Sequence, residues 1–299
     1  MSIRRTLLAI LFAVSAALPA AAQEKLPVVA TFSILGDFVK NVGGDRVAVT
    51  TLVGPNGDTH VYQPSPADAK KLAAAKVIFV NGFKLEGWMD RLIKASGTKA
   101  SVIVTVKGIT PREMAEADEH AHERGVDPHA WQSIANARIY VANIRDALIT
   151  ADPDGKSAYE KNTDDYLAKL AMVETEVKEG IAKIPPERRR IITTHDAFGY
   201  FGAAYGFEFI APQGVSTETE ASAQDVAKII RQIRAQKIPA VFLENVSDPR
   251  LVQRIADETG AKIGGTLYSD ALSAEDGPAS TYVDMMRHNI RELSAALTS

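Results

Sequence analysis

The stretch SAYEKNTDDYLAKLAMVETEVKEGIAKI, residues 157–184, determines the architecture that the sequence predicts. Its apolar residues recur at spacings of three, four and seven, which is typical of an amphipathic helix with one buried stripe: Tyr159, Tyr166, Leu170, Val173, Val177, Ile181 and Ile184. At about 1.5 Å per residue, such a helix would be about 40 Å long. We therefore predict a rigid connector between two halves of the chain, the alternative being a packing helix inside one domain.

The sequence on either side of this segment repeats one scheme. Short β-branched runs alternate with helical patterns, at residues 28–33, 47–53, 77–82 and 101–106 before the connector and at 190–195, 207–212, 240–245 and 262–269 after it. Helix starts are marked by Ser65-Pro66 followed by Asp68, and by Ser222 followed by Asp225. Alternation of strand and helix favours an α/β fold. We predict two similar lobes with largely parallel sheets, an N-terminal lobe over residues 23–156 and a C-terminal lobe over residues 185–299, joined by the connecting helix at 157–184.

The first 22 residues are typical of a secretory signal peptide. Arg4 and Arg5 precede the apolar run TLLAILFAVSAALPA, and Ala20, Ala21 and Ala22 supply small residues for cleavage. The apolar run is shorter than the roughly 20 residues of an ordinary spanning helix. We expect cleavage after Ala22, export to a periplasmic location and no membrane span in the mature chain. The alternative is an uncleaved anchor.

Composition excludes several classes of function. The 299 residues include no cysteine, which excludes disulfides, thiolate metal sites, iron–sulfur clusters, cysteine catalysis and a lipidated cysteine. The formal net charge of −3 provides no basic surface, so nucleic acid is not expected as a partner.

Three histidines and one aspartate are the candidate functional residues. His60 follows the second predicted strand, His129 lies in DPHAW, His195 ends RIITTH, and Asp270 follows GGTLYS. Ligands of open α/β sheets bind at the carboxyl ends of the strands, so a cleft between the lobes could bring these four together. Three imidazoles and one carboxylate are a suitable tetrahedral set for Zn²⁺. Taken singly, each residue also fits a helix cap, a turn or a buried hydrogen bond.

Several segments together resemble the substrate-binding proteins of zinc and manganese ABC transporters: GPNGDTHVYQPSPADAKKLAAAKVIFVNG, DPHAW, TTHDAFGYFGAAYGF, FLENVSDPR and GGTLYSDALS. The resemblance covers essentially the whole chain after the signal peptide. It implies two α/β lobes, a rigid connecting helix and one metal in the interlobe cleft, with His60, His129, His195 and Asp270 as ligands. It also implies delivery to an inner-membrane ABC permease by a monomeric protein, and it leaves open whether a metallochaperone loads it.

The resemblance and the donor chemistry favour zinc. The third ligand position of the family is often Glu in manganese binders and His in zinc binders, and here it is His195. An imidazole-rich set also suits Zn²⁺ better than Mn²⁺, which prefers oxygen. A manganese-binding protein of the same family is the nearer alternative. A zinc-dependent hydrolase, in which Asp270 is not a ligand and water occupies the fourth position, is the alternative of another class.

Some other residues could support a metal site. A short acidic segment, 112–125, contains Asp118, Glu119, His120 and His122, and it resembles a shortened form of the family's histidine-rich loop. We interpret it as a weak metal-capture loop, the alternative being a solvated acidic loop. Glu244, at the end of the strand AVFLEN, could orient a ligand histidine, or it could form a structural hydrogen bond. Asp58, Asp127 and Asp196 could act similarly, but caps and turns explain them as well. His288, on the last helix, is expected to face solvent.

Overall fold

The structure is a computed structural model, and it describes residues 24–113 and 125–298. The first half contains β1 (Leu26–Phe32), α1 (Ser33–Gly43), β2 (Val47–Val53), α2 (Pro66–Ala74), β3 (Val77–Val80), α3 (Met89–Ser96), β4 (Ser101–Val104) and α4 (Ile134–Ala151). The connector is α5 (Lys156–Ala182). The second half contains β5 (Arg190–Ile192), α6 (Gly199–Tyr205), β6 (Glu208–Ile210), α7 (Ala223–Gln236), β7 (Ala240–Glu244), α8 (Pro249–Thr259), β8 (Lys262–Leu267) and α9 (Tyr282–Leu297).

The eight strands form two sheets of the same topology. Their orders are β2-β1-β3-β4 and β6-β5-β7-β8, and every pairing is parallel. In each sheet the direction in which successive strands are added reverses between the two central strands. A crevice therefore lies at the carboxyl ends of β1 and β3 in the first sheet, and at those of β5 and β7 in the second. This confirms the predicted pair of α/β lobes with parallel sheets. The strand after residue 190 is shorter than predicted, because the chain leaves the sheet at Ile192.

Local signals in the sequence account for the helix starts. Ser65 and Asp68 form a reciprocal capping box at α2, with Pro66 in the first turn. Ser222 accepts a hydrogen bond from the backbone of Asp225 at α7. These caps set the point at which each loop after a strand becomes a helix, and so they fix the length of the loops that face the crevice.

The long helix begins one residue before the predicted connector and ends two residues before its predicted end. Its predicted apolar stripe is buried along the whole length, from Tyr159 to Ile181. It packs against α1 and α4 of the first half and against α9 of the second. The limits of the two lobes at residues 156 and 185 stay a prediction, since α9 contacts α1 of the first half as well as β8. The predicted signal peptide lies outside the described residues.

The buried carboxylate of Asp37 connects the helices α1, α5 and α9. Asp37 of α1 accepts hydrogen bonds from the backbone N–H of Tyr282 at the start of α9 (3.0 Å) and from the hydroxyl of Tyr166 on α5 (3.2 Å). Burial raises the pKa of Asp37 to about 6, although these hydrogen bonds and Lys40 act in the opposite direction. Since the unfolded carboxyl titrates near 3.8, the folded state binds the proton more tightly.

We expect Asp37→Asn to stabilise the protein at pH 8 by up to about 3 kcal/mol relative to the wild type. The amide imitates the protonated carboxyl, so the difference should disappear at pH 4, where the wild-type carboxyl is protonated in the folded state. Urea unfolding of metal-free protein at both pH values measures this. Asp164→Asn, an exposed position on α5, is the control. A difference between Asp37→Asn and the wild type that is the same at both pH values would contradict the assignment.

Candidate metal centre

Four side chains converge where the two crevices face each other. His60 lies in the loop after β2, His129 precedes the short helical turn 130–132, and His195 and Asp270 each lie three residues beyond a strand, β5 and β8. One donor atom from each of the four lies within 4.8 Å of every other. The structure therefore brings together all four residues that the sequence singled out, two from each half of the chain.

The spacing of the donor atoms fits one small cation. His60 Nε2 lies 3.2 Å from His129 Nε2 and 3.2 Å from Asp270 Oδ2. His195 Nε2 lies 3.1 Å from Asp270 Oδ2, and His129 Nε2 lies 3.5 Å from Asp270 Oδ1. A tetrahedral ion with bonds of about 2.0–2.1 Å holds its ligand atoms about 3.4 Å apart. These four separations are close to that value, and one donor atom from each residue lies within 4.8 Å of the others.

The candidate ligands differ in their exposure. His129, His195 and Asp270 are 0% exposed, whereas His60 is 6% exposed. Trp131 is also fully buried, and its ring lies 5.3 Å from the His129 ring between centroids. The apolar side of the site is therefore closed, and His60 lies on the side nearest to solvent.

Two buried carboxylates lie beside the Nδ1 atoms of two of the candidate ligand histidines, His129 and His195. The Asp127 carboxylate lies 2.9 Å from His129 Nδ1 and also accepts a hydrogen bond from the His129 backbone N–H. Glu244 Oε1 accepts hydrogen bonds from the backbone N–H groups of Thr194 (2.7 Å) and His195 (2.9 Å). Glu244 Oε2 lies 2.6 Å from His195 Nδ1, within range of an ion pair although out of line for a hydrogen bond. Such carboxylates orient an imidazole and increase its basicity as a ligand.

Sequence reasoning underrated Asp127, because an aspartate before a helix usually caps it. The signal was present in the repeated spacing of GDTH and DPH, which places an aspartate two residues before each of two histidines. Asp58 and Asp127 both accept the backbone N–H of the following histidine at 2.9 Å, but only Asp127 also reaches the imidazole ring. Among the described residues, Asp196 forms no hydrogen bond or ion pair with the ring of His129 or of His195.

The charges of the site raise the proton affinity of two of its imidazoles, those of His129 and His195. Burial lowers the pKa of His129, but Asp270 and Asp127 raise it more, to about 9. Burial likewise opposes the charge on His195, yet Glu244 and Asp270 raise its pKa well above the ordinary value. Burial raises the pKa of Asp270, and the two imidazoles lower it well below its usual range. Without a bound cation, protons on these two imidazoles offset part of the negative charge of the buried carboxylates.

Contacts between the halves surround the site. The Ser269 carbonyl, next to Asp270, accepts hydrogen bonds from Trp131 Nε1 (2.9 Å) and Gln132 Nε2 (2.8 Å). The Leu272 backbone N–H donates to Ser33 Oγ at 2.9 Å. The loop that carries Asp270 is therefore held by the first half of the chain on both sides.

Two other predictions have different outcomes. His288 was expected to face solvent, and this is wrong, because the ring is 9% exposed and its Nε2 lies 2.9 Å from the Thr266 carbonyl. The helical pattern placed His288 on the polar face of α9. In the structure this part of α9 packs on β8, and the side chain lies between the two elements. The proposed capture residues, Asp118, Glu119, His120 and His122, lie outside the described residues.

Two parallel-sheet lobes, one long connecting helix and a set of donors between the lobes define a two-lobed binding protein. Residues 28–296 match the family described as "Zinc-uptake complex component A periplasmic". The manganese-binding lipoprotein MntA of Halalkalibacterium halodurans is 34% identical, over 92% of this chain and 89% of its own. The iron-binding protein YfeA of Yersinia pestis is 35% identical, over 91% and 86%. The periplasmic zinc-binding protein TroA of Treponema pallidum superposes with a TM-score of 0.86 at 31% identity, covering 92% of this chain and all of that structure.

The chain belongs to this family of substrate-binding proteins of metal ABC transporters. Members of the family are binding components and not enzymes, so the hydrolase alternative is wrong. Membership implies a membrane permease as partner. Within the described residues, none of the helices combines the length and apolarity that a membrane span requires. The names of the relatives include manganese, iron and zinc, so the family does not select the metal.

We expect the affinity of the site for a divalent cation to fall as the pH is lowered from 9 to 6. Metal ligation requires neutral imidazoles, and the raised pKa of His129 makes protons compete even above neutrality. The apparent dissociation constant should rise by about tenfold per pH unit for each proton displaced. Competition with a chelator of known pH dependence measures it. Asp127→Asn should flatten the profile by lowering the His129 pKa, and an affinity that is constant from pH 6 to 9 would contradict the expectation.

We expect Glu244→Gln to weaken metal binding by about 10–100-fold without unfolding the protein. The amide can still accept the two backbone hydrogen bonds, but it no longer attracts the His195 ring as an anion. Isothermal titration measures the effect, with Glu208→Gln, an exposed position of the same lobe, as the control. Equal affinities of the Glu244 and Glu208 variants would show that Glu244 has only a structural role.

Proposed function

We propose that the protein binds Zn²⁺ in the interlobe cleft with high affinity and delivers it to the permease of an ABC importer. The observation that carries the proposal is the convergence of three imidazole nitrogens and one carboxylate at the spacing of a tetrahedral zinc ion. His60, His129, His195 and Asp270 would be the ligands. These donors fill a tetrahedron, so no coordination position remains for a reacting water, which suits carriage of the ion.

Donor chemistry supports zinc over manganese. Imidazole nitrogen suits Zn²⁺, while Mn²⁺ prefers sites richer in oxygen. The alternative, manganese, is supported by two observations. Relatives such as MntA are named for manganese, and Asp270 Oδ1 has no hydrogen-bond partner among the described residues, so both carboxylate oxygens could bind one ion. Bidentate binding would raise the coordination number to five.

Two kinds of residues would share the work of binding. The ligands would hold the ion directly, and Asp127 and Glu244 would hold His129 and His195 in the orientation and tautomer that present Nε2. Asp270 would supply negative charge to the dication. Release to the permease would require at least one of the four ligands to leave the ion, because three donors no longer complete the tetrahedron.

The proposed location is the periplasm, after cleavage of residues 1–22. Curated relatives are named lipoproteins, whereas the 299 residues here include no cysteine to carry a lipid. A free periplasmic monomer that docks to the permease fits this sequence, and a metallochaperone is a second candidate partner.

Metal titration of chelator-stripped protein tests the proposal. We expect one Zn²⁺ per chain, bound at least tenfold more tightly than Mn²⁺. His195→Ala and Asp270→Ala should each weaken Zn²⁺ binding by about 100-fold or more. Loss of a residue that only supports a ligand costs roughly 10–100-fold, and loss of a ligand itself should cost at least as much. Asp276→Ala, an exposed aspartate in the same connection as Asp270, is the control and should bind as the wild type does.

Each contrary result has a definite meaning. Equal or tighter binding of Mn²⁺ would transfer the assignment to the manganese alternative. Unchanged zinc affinity in Asp270→Ala would remove Asp270 from the ligand set. Absence of binding for both ions would overturn the proposed function.

A further inference from the structure

Two loops of the molecule occupy equivalent places in the two sheets. Each follows an edge strand and ends at a serine that caps the next helix: the β2–α2 loop, residues 54–65, and the β6–α7 loop, residues 211–222. His60 lies seven residues beyond Val53 and five before the cap. Thr217 lies seven residues beyond Ile210 and five before the cap. The position that supplies a candidate ligand in the first lobe is a threonine in the second.

This threonine contacts the loop of the candidate ligand. Thr217 Oγ1 donates a hydrogen bond to Asp58 Oδ2 at 2.6 Å, although the two residues belong to different lobes. The other oxygen of the same carboxylate, Asp58 Oδ1, accepts the backbone N–H of His60 at 2.9 Å. A single carboxylate therefore joins the β6–α7 loop to the backbone of His60.

The other end of the β6–α7 loop is attached beside His195. Gln213 donates its backbone N–H to the Thr194 carbonyl (3.3 Å), and its side-chain amide donates to the carbonyls of Thr219 (2.8 Å) and Thr217 (3.3 Å). A continuous series of hydrogen bonds thus runs from the backbone of His60, through Asp58 and the β6–α7 loop, to the strand end that carries His195. It passes around the donor cluster without using any donor atom.

The β6–α7 loop also lies at the open side of the cluster. His60 lines two clefts, of about 480 and 360 Å³, and Glu218 of the β6–α7 loop lines both. Val215 and Ser216 line the larger cleft. His129, His195 and Asp270 line neither cleft. An ion that leaves the cluster by the shortest open route therefore passes His60 and the β6–α7 loop.

We propose that the β6–α7 loop is a strap that retains the metal, with the Thr217–Asp58 hydrogen bond as its fastening. The strap holds the His60 loop against the second lobe, and loss of the fastening lets His60 withdraw first, because the other three donors are fully buried. Asp58 and Thr217 are positioning residues and do not touch the ion. This inference rests on the proposed function, since it concerns the rate at which that site releases its cargo.

The test compares the rates of zinc release and uptake. Zinc-loaded protein is mixed with an excess of a fluorescent chelator in a stopped-flow instrument, and uptake is followed by mixing metal-free protein with Zn²⁺. We expect Thr217→Val to increase the release rate by about tenfold, the effect of one hydrogen bond to a charged group. The uptake rate should change less than twofold, because His60 is still available to an entering ion.

Matched variants separate the fastening from general loosening of the loop. Thr217→Ser keeps a hydroxyl and should release zinc at nearly the wild-type rate. Thr219→Val makes the same change at an exposed position two residues away and should also leave the rate unchanged. In an Asp58→Ala background, Thr217→Val should have no further effect, since the acceptor has been removed.

Three results would overturn the strap. They are a release rate of Thr217→Val within twofold of the wild type, equal acceleration by Thr219→Val, or additive effects of the Asp58 and Thr217 changes. These results differ from failure of the proposed function, in which the wild-type protein binds no zinc and no release rate can be measured.

Discussion

The buried charge of Asp270 is the constraint on which the rest of the site depends. A carboxylate with no exposure to water is strongly destabilised unless cations surround it. Three imidazoles from two lobes meet this need, and their Nδ1 sides bring two more buried carboxylates, Asp127 and Glu244, into the same region. The cluster therefore contains three carboxylates, and neutral histidines do not balance their negative charge. A dication offsets two of these three negative charges, and the same argument explains why protons are its natural competitors.

The two lobes are joined by much more than one connector. The Ser269 carbonyl is held by Trp131 and Gln132, Leu272 is held by Ser33, and Asp37 accepts the first N–H of α9. Several of these groups are buried, so separation of the lobes as rigid bodies would leave polar atoms without partners at considerable cost. Small local movements of loops beside the site cost less. A device for retention and release is therefore expected in a loop such as the β6–α7 connection.

Much of this architecture could be predicted from the sequence, because its signals were local. The stripe from Tyr159 to Ile181 and the capping box at Ser65 depend on residues within a few positions of one another. Three of the four donors could be placed after predicted strands by the same means, and the family resemblance then grouped all four. Local signals do not show which way a side chain points in the folded protein, or which residues of the two lobes come into contact. The ring of His288 packs on a strand that its helix meets only in three dimensions, and the Thr217–Asp58 contact joins residues 159 positions apart. Asp127 lay between these cases, since its spacing was visible while its contact with the ring was not.

The position of α9 has a consequence for how the protein is made. This helix follows all the other described elements in the sequence, yet its first backbone N–H is bound by Asp37, and its apolar face packs on α5 and α1. The N-terminal sheet can form its strand pairs early, but the helical layer beside it is incomplete until residues 282–297 have emerged. A chain released stepwise, from a ribosome or through a membrane channel, would therefore expose apolar surface of its first half until synthesis or passage is complete. Packing of the first half is thus tied to the arrival of α9, and a chain that ends before residue 282 would lack the helix that covers α1 and α5.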